Sequence, residues 1–145
     1  MKQDTSVGRY MGMIARCARM HLVDVLEPLG VSEPAFPLLM MLYDGDDLFQ
    51  DDMVRIHPKD KANVARALFR LEEDGFIYRQ TATHDRRKKR VKLTPKARRL
   101  ESQVRRLIEK WEDTVFLGFT QKERETAVRF LQRMAQNARH AVEGA

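Results

Sequence analysis

The sequence is short of the residues that would make it a secreted, membrane or metal-holding protein. It has one cysteine, one tryptophan, seven glycines and five prolines in 145 residues, and no apolar run near the roughly 20 residues that span a bilayer. Cys17, being alone, cannot close an internal disulfide, which excludes a disulfide-stapled scaffold and suits a reducing compartment. The first residues carry one lysine and no apolar stretch ahead of a small-residue cleavage site, so no signal peptide is read and a cytoplasmic location is expected, with no membrane partner. His21, His57, His84 and His140 are scattered and belong to no catalytic motif, so no enzyme activity and no cofactor are expected. Cys17 and His21 stand four apart, but two ligands are too few for a structural zinc site, and no metal is expected.

What is present is a globular composition, 43% hydrophobic and 33% charged, with the charge unevenly placed. Residues 78–99 hold ten Lys or Arg against one acid, Asp85, a local +9 that leaves −3 on the rest of a chain whose net charge is +6. Cations crowded in this way repel one another unless a polyanion neutralises them, although a solvated charge run has the same composition.

Apolar spacing predicts mostly helices. Tyr10, Met13, Ile14, Cys17, Met20, Val23 and Leu26 lie on one face of a first helix, which places Cys17 as a small buried hydrophobe. Met11, Met13, Met20, Met40 and Met41 fit core filling or a ligand pocket. A second helix over 33–43, with Ser32 as N-cap, is apolar nearly all round and belongs in the core. Leu48 and Phe49 make a minor strand, and residues 50–56 a short helix before a turn at His57, Pro58 and Lys59. Asp60 is the expected N-cap of a helix over 61–74 that ends at Gly75. Phe76 to Tyr78 and Arg90 to Leu93 form a hairpin around the basic turn 81–87. Thr94 and Pro95 open a long helix, and Thr120 with Glu123 forms the capping box of a last helix reaching Val142.

A short helix, a turn, an amphipathic helix with a basic outer side and a basic hairpin together predict a winged helix-turn-helix, in which the second helix enters the major groove of duplex DNA. Lys61, Ala62, Asn63, Arg66 and Arg70 fall on its outer face. Asn can pair with adenine, Arg with guanine, Lys with phosphate, and a small Ala permits close approach or contacts a thymine methyl.

At these residues the sequence resembles the MarR family of transcriptional regulators. Residues 60–77, ending in Leu71-Glu72, Gly75, Phe76 and Ile77, are similar to that family's recognition helix and its closing signature. Asp85-Arg86-Arg87 and Leu93-Thr94 are similar to its wing motif and the start of its next helix. Phe119 to Arg124 and Asn137 also fit. Ala97 stands where the family commonly has glycine, and Met53-Val54 replaces a Leu-Ala pair. The resemblance implies that Asp85 braces the wing by pairing with arginine and that Arg87 enters the minor groove, with Arg86, Lys88 and Lys89 beside it as DNA contacts.

It also implies a single MarR-like domain over 1–145, mainly α with a small antiparallel β wing. The DNA-binding core would be 32–99, and helices in 6–28 and 95–142 would form a homodimer interface. The expected activity is ligand-responsive repression at a pseudo-palindromic operator. A small aromatic or phenolic effector would lie near Met13, Phe36, Met40 and Leu107. Oxidation of Cys17 as the regulatory signal, and RNA binding by the same fold, are the alternatives.

Overall fold

Ser6 begins the first helix: its hydroxyl accepts from the amide of Arg9, and α1 (Val7–Leu26) follows. The structure is a computed structural model that describes residues 6–45, 47–55 and 60–144. After α1 the order is α2 (Phe36–Asp44), β1 (Leu48–Phe49), α3 (Gln50–Arg55), α4 (Lys61–Glu73), β2 (Ile77–Thr81), β3 (Lys89–Leu93), α5 (Pro95–Val115) and α6 (Gln121–Glu143). One tight turn of 3₁₀ helix, Glu33–Ala35, carries the chain into α2, so the expected single helix is split where Pro34 and Pro37 remove amide donors. The fold class is as the sequence predicts, mostly α with one small antiparallel sheet. The expected turn at His57, Pro58 and Lys59, with Ile56 before it, lies outside the described residues.

Contacts divide the chain into one unit ending at Leu107 and another beginning at Ile108. The first holds the sheet, ordered β1-β3-β2 and antiparallel throughout. Its register pairs Leu48 with Val91 and Phe49 with Arg90 on one side of β3, and Ile77 with Leu93 through Thr81 with Lys89 on the other. Alternation along β3 sends Val91 and Leu93 into the core, where Leu38, Leu39 and Leu42 of α2 and Val64, Leu68 and Leu71 of α4 are also buried. Gly75 makes the hinge between α4 and β2. At φ +77 it takes the left-handed conformation, while the amide of Phe76 closes back on the carbonyl of Leu71 at 2.9 Å.

Thr94 caps α5 as expected, accepting from the amide of Ala97 at 3.3 Å while its hydroxyl donates to the carbonyl of Gly75 at 2.6 Å. The buried Tyr43 hydroxyl donates to the carbonyl of Ala97 at 2.7 Å, tying α2 to the start of α5. Burial, then the nearby Glu101 carboxylate, pushes its pKa up to about 12, against the smaller lowering by Arg105. In the second unit, the Thr120–Glu123 capping box forms as expected. Arg124 pairs there with Asp113 at 2.8 Å and Glu112 at 3.0 Å and lies over the Phe116 ring, and its pKa is raised, first by the hydrogen bond to Asp113.

The terminal helices depart from expectation in their burial. Only Leu26 of α1 is buried and no described residue of α6 is. Cys17 is exposed rather than buried, as are Met11, Met13 and Met20, because the apolar face of α1 meets little of the chain's own surface. Met40 and Met41 are half-buried, and the methionine that fills the core is Met53. No single helix among the described residues is long and apolar enough to cross a membrane.

Candidate nucleic-acid interface

Burial of Val64, Ala67, Leu68 and Leu71 fixes how α4 is rotated on the core, and helical geometry then turns Lys61, Ala62, Asn63, Arg66 and Arg70 outward; all five are exposed. Asp60 holds the N-cap position but its side chain makes no capping bond. Its carboxylate instead accepts from the Asn63 amide, whose oxygen accepts from Arg66. The Asp60 backbone, at φ −124 and ψ 29, also lies outside the extended conformation usual for an N-cap. Asp60, Asn63 and Arg66 thus form a polar chain along the outer face of α4. Arg70, by contrast, is paired with Asp74 at 2.9 Å.

The basic stripe separates into cations spent on the body and cations left outside. Arg79, 25% exposed, bonds Glu72 of α4 at 2.5 Å and the Gln50 side chain of α3 at 3.0 Å, clasping the root of the hairpin to both helices. Arg90 pairs with Asp47 at 2.6 Å and lies over the Phe49 ring, so β1 is pinned to β3. Asp47 has a φ of 71, uncommon for a residue with a side chain, and the pairing with Arg90 and Lys92 holds it there. Lys96 donates to the carbonyl of Asp74 and covers the Phe76 ring.

Arg86, Arg87, Lys88 and Lys89 remain at the hairpin tip, all exposed. Lys88 lies over Phe49 at 5.5 Å and Lys89 donates to the Thr81 hydroxyl at 2.9 Å. Asp85 accepts from the amide of Arg87 at 3.0 Å and faces the Arg87 guanidinium at 3.6 Å. The carboxylate thus caps the turn through the backbone as well as meeting an arginine side chain. Arg87 itself is 94% exposed.

A family model described as MarR family matches residues 31–89, which run from just before the Glu33–Ala35 turn to the start of β3. A MarR transcriptional regulator from Methanosarcina mazei Go1 is 30% identical, with 91% of this chain and 95% of that one covered and a TM-score of 0.86. The chain belongs to the MarR family of transcriptional regulators. The transcriptional regulator SlyA is similar at 26% identity and a TM-score of 0.89 over 96% of this chain and 98% of that one. A MarR family regulator from Listeria monocytogenes, solved in complex with 26mer DNA, shares the fold at 22% identity, a TM-score of 0.87 and coverage of 97% and 96%. The MarR-family chain described here is, accordingly, a DNA-binding transcriptional regulator with a winged helix.

Of the residues expected around an effector, Met13 is exposed and Phe36, Met40 and Leu107 are half-buried. A described cavity of about 820 Å³ lies elsewhere, between the Ser32–Leu38 region and α4, where Arg66, Phe69 and Arg70 line it. The clasp by Arg79, the Phe49 platform and the exposed Phe69 are features that the sequence reading passed over. Only the i, i+3, i+6 spacing of Asp60, Asn63 and Arg66 was there to signal the polar chain on α4.

Proposed function

We propose that this regulator is a homodimeric, ligand-responsive repressor that places α4 of each subunit in a major groove and each hairpin tip in the adjacent minor groove. The observation that carries this reading is the sorting of charge: Lys61, Arg66, Arg70, Arg86, Arg87, Lys88 and Lys89 are exposed on α4 and the hairpin tip, while Arg79, Arg90 and Lys96 are spent on the body. A phosphate-lined groove is the natural neutralising partner for such a surface. Lys61, Asn63 and Arg66 read bases, Ala62 permits close approach, and Arg70, Arg86, Lys88 and Lys89 meet phosphates. Arg87 enters the minor groove and Asp85 braces the wing.

Dimerisation is supported by the apolar side chains left outside on the terminal helices. Each unit leaves several large apolar side chains exposed on its terminal helix, Tyr10, Ile14 and Val23 of α1 in the first and Phe130, Leu131 and Val142 of α6, with Leu117 at 84% exposure, in the second. The region 6–28 with 95–142 then forms the interface around a DNA-binding core over 32–99, and a two-fold dimer reads a pseudo-palindromic site with half-sites about one helical turn apart. A cytoplasmic location accompanies this role.

A small aromatic or phenolic effector, held against Met13, Phe36, Met40 and Leu107, regulates by binding the free and DNA-bound states unequally. The exposed thiol of Cys17 favours a second reading, in which oxidation releases DNA. In the proposed dimer the apolar face of α1 is covered, which leaves the effector reading ahead.

The deciding experiment combines light scattering with selection of duplexes from a random-sequence pool. A dimeric mass and an enriched inverted repeat are expected, with Asn63→Ala losing both affinity and sequence preference. A monomer, or an Asn63→Ala protein indistinguishable from wild type, overturns the assignment. Peroxide that releases wild type but not Cys17→Ser protein replaces the effector with the thiol.

A further inference from the structure

The outward face of α4 carries two parallel stripes rather than one. Asn63, Arg66 and Arg70, spaced three and four apart, make a polar stripe. Ala62, Ala65 and Phe69, with the same spacing shifted by one residue, make an apolar one beside it. All six are exposed, and Phe69 leaves 57% of its surface in solvent. A single exposed apolar side chain is ordinary on a protein surface. Phe69 differs in its surroundings: it stands between Arg66, Arg70 and Glu73, in the middle of the face that the burial of Val64, Leu68 and Leu71 turns away from the core, and it borders cavities on both sides of the helix.

A phenyl ring neither donates nor accepts a conventional hydrogen bond, so against phosphate or a polar base edge it would only displace water. The major-groove edges of the bases offer donors and acceptors with one apolar exception, the C5-methyl of thymine. The two small alanines on the preceding turns let the helix approach closely enough for the ring to touch that methyl. Resting on the reading of α4 as the groove-binding helix, we propose that Phe69 is a specificity-determining residue that selects thymine through its C5-methyl, while Asn63 and Arg66 of the neighbouring polar stripe read purines.

The test removes the methyl alone. The full-length protein selects a duplex from a random-sequence pool, and each thymine of that duplex is replaced in turn by deoxyuridine. At one thymine in each half-site the replacement is expected to weaken wild-type binding about fourfold, the transfer free energy of one methyl group. Phe69→Ala binds the thymine and deoxyuridine duplexes equally, and Phe69→Leu, which keeps an apolar side chain, restores part of the discrimination. If no replacement weakens wild type, or if Phe69→Ala discriminates as strongly as wild type, Phe69 does not read the methyl although α4 still binds DNA. If no duplex is enriched, the DNA-reading role of α4 falls, and the role of Phe69 with it.

Discussion

Asp85 separates two ways of building a wing, by its charge or by its place in the backbone. Its carboxylate accepts from the Arg87 amide at 3.0 Å and faces the Arg87 guanidinium at 3.6 Å. The second contact is weak, because an ion pair to a side chain 94% exposed is worth about 0–1 kcal/mol and is screened by salt. The first holds the turn, and a hydrogen bond of this kind contributes about 0.5–1.5 kcal/mol. Asp85→Ala loses both contacts, and the disorder it introduces must be removed again when the wing docks. With two wings in the proposed dimer the loss is about 1–3 kcal/mol, or about 5- to 150-fold in DNA affinity. Asp85→Asn keeps an acceptor for the Arg87 amide and deletes only the charge that competes with phosphate for the guanidinium. It should bind DNA as tightly as wild type or more tightly, by at most about fivefold per wing. Fluorescence anisotropy titration of a selected duplex at one fixed salt concentration measures the three proteins, and amide exchange over residues 82–88 reports the turn in the free state. An Asp85→Asn protein as weak as Asp85→Ala would refute the reasoning and show that charge pairing holds the wing.

Arg79→Gln should release the clasp between the hairpin, Glu72 and Gln50, costing about tenfold in DNA affinity through a misplaced wing while the melting temperature moves little; unaltered binding would show that the clasp positions nothing. Lys88→Gln should lower the salt dependence of binding by about 1.8 in slope for the proposed dimer, and Arg70→Gln by less, since Arg70 already pairs with Asp74; equal slopes would contradict this. Tyr43→Phe loses a buried hydrogen bond and about 0.5–1.5 kcal/mol of stability at neutral pH by urea denaturation. Tyr43 also makes a pH-dependent contribution. With its pKa at 10.0 unfolded and about 12 folded, the phenol stays protonated longer in the native state, so its contribution is whole below pH 10 and is lost as pH rises to 12. Wild type should therefore lose stability faster than Tyr43→Phe across that window.

The fold was legible in the sequence wherever one local rule decided it. Thr94 before Pro95, and Thr120 with Glu123, announce helix starts through chemistry confined to a few neighbouring residues, and both caps form as expected. Gly75 after an amphipathic run announces a stop in the same way. Burial of the terminal helices was not legible, because periodicity shows that α1 has an apolar face without showing what covers it; hence Cys17 and Met13 are exposed in the single chain. At the interface, the outward residues of α4 followed from helical geometry. The division of the basic stripe did not, since Asp47 lies 43 residues from Arg90 and Gln50 lies 29 residues from Arg79, and these meet only when the sheet closes. Asp60 shows the limit of a local rule: the residue type suits a cap, yet a side chain one turn further along takes its carboxylate.

The hairpin is fastened at its root and nearly free at its tip. Arg79 and Arg90 bind the strands to the body and the Thr81–Lys89 pair binds them to each other, whereas residues 82–88 are held by the bond from the Ala82 amide to the Lys88 carbonyl, by the turn around Asp85 and by Lys88 over the Phe49 ring. Lengthening a loop whose ends are already fixed costs little, about 0.6 kcal/mol for each doubling. The tip is therefore an exchangeable part: a segment of different length and charge can be spliced between Thr81 and Lys89 without disturbing Val91 or Leu93, and variation there alters the charge that the hairpin presents while the core that presents it stays the same.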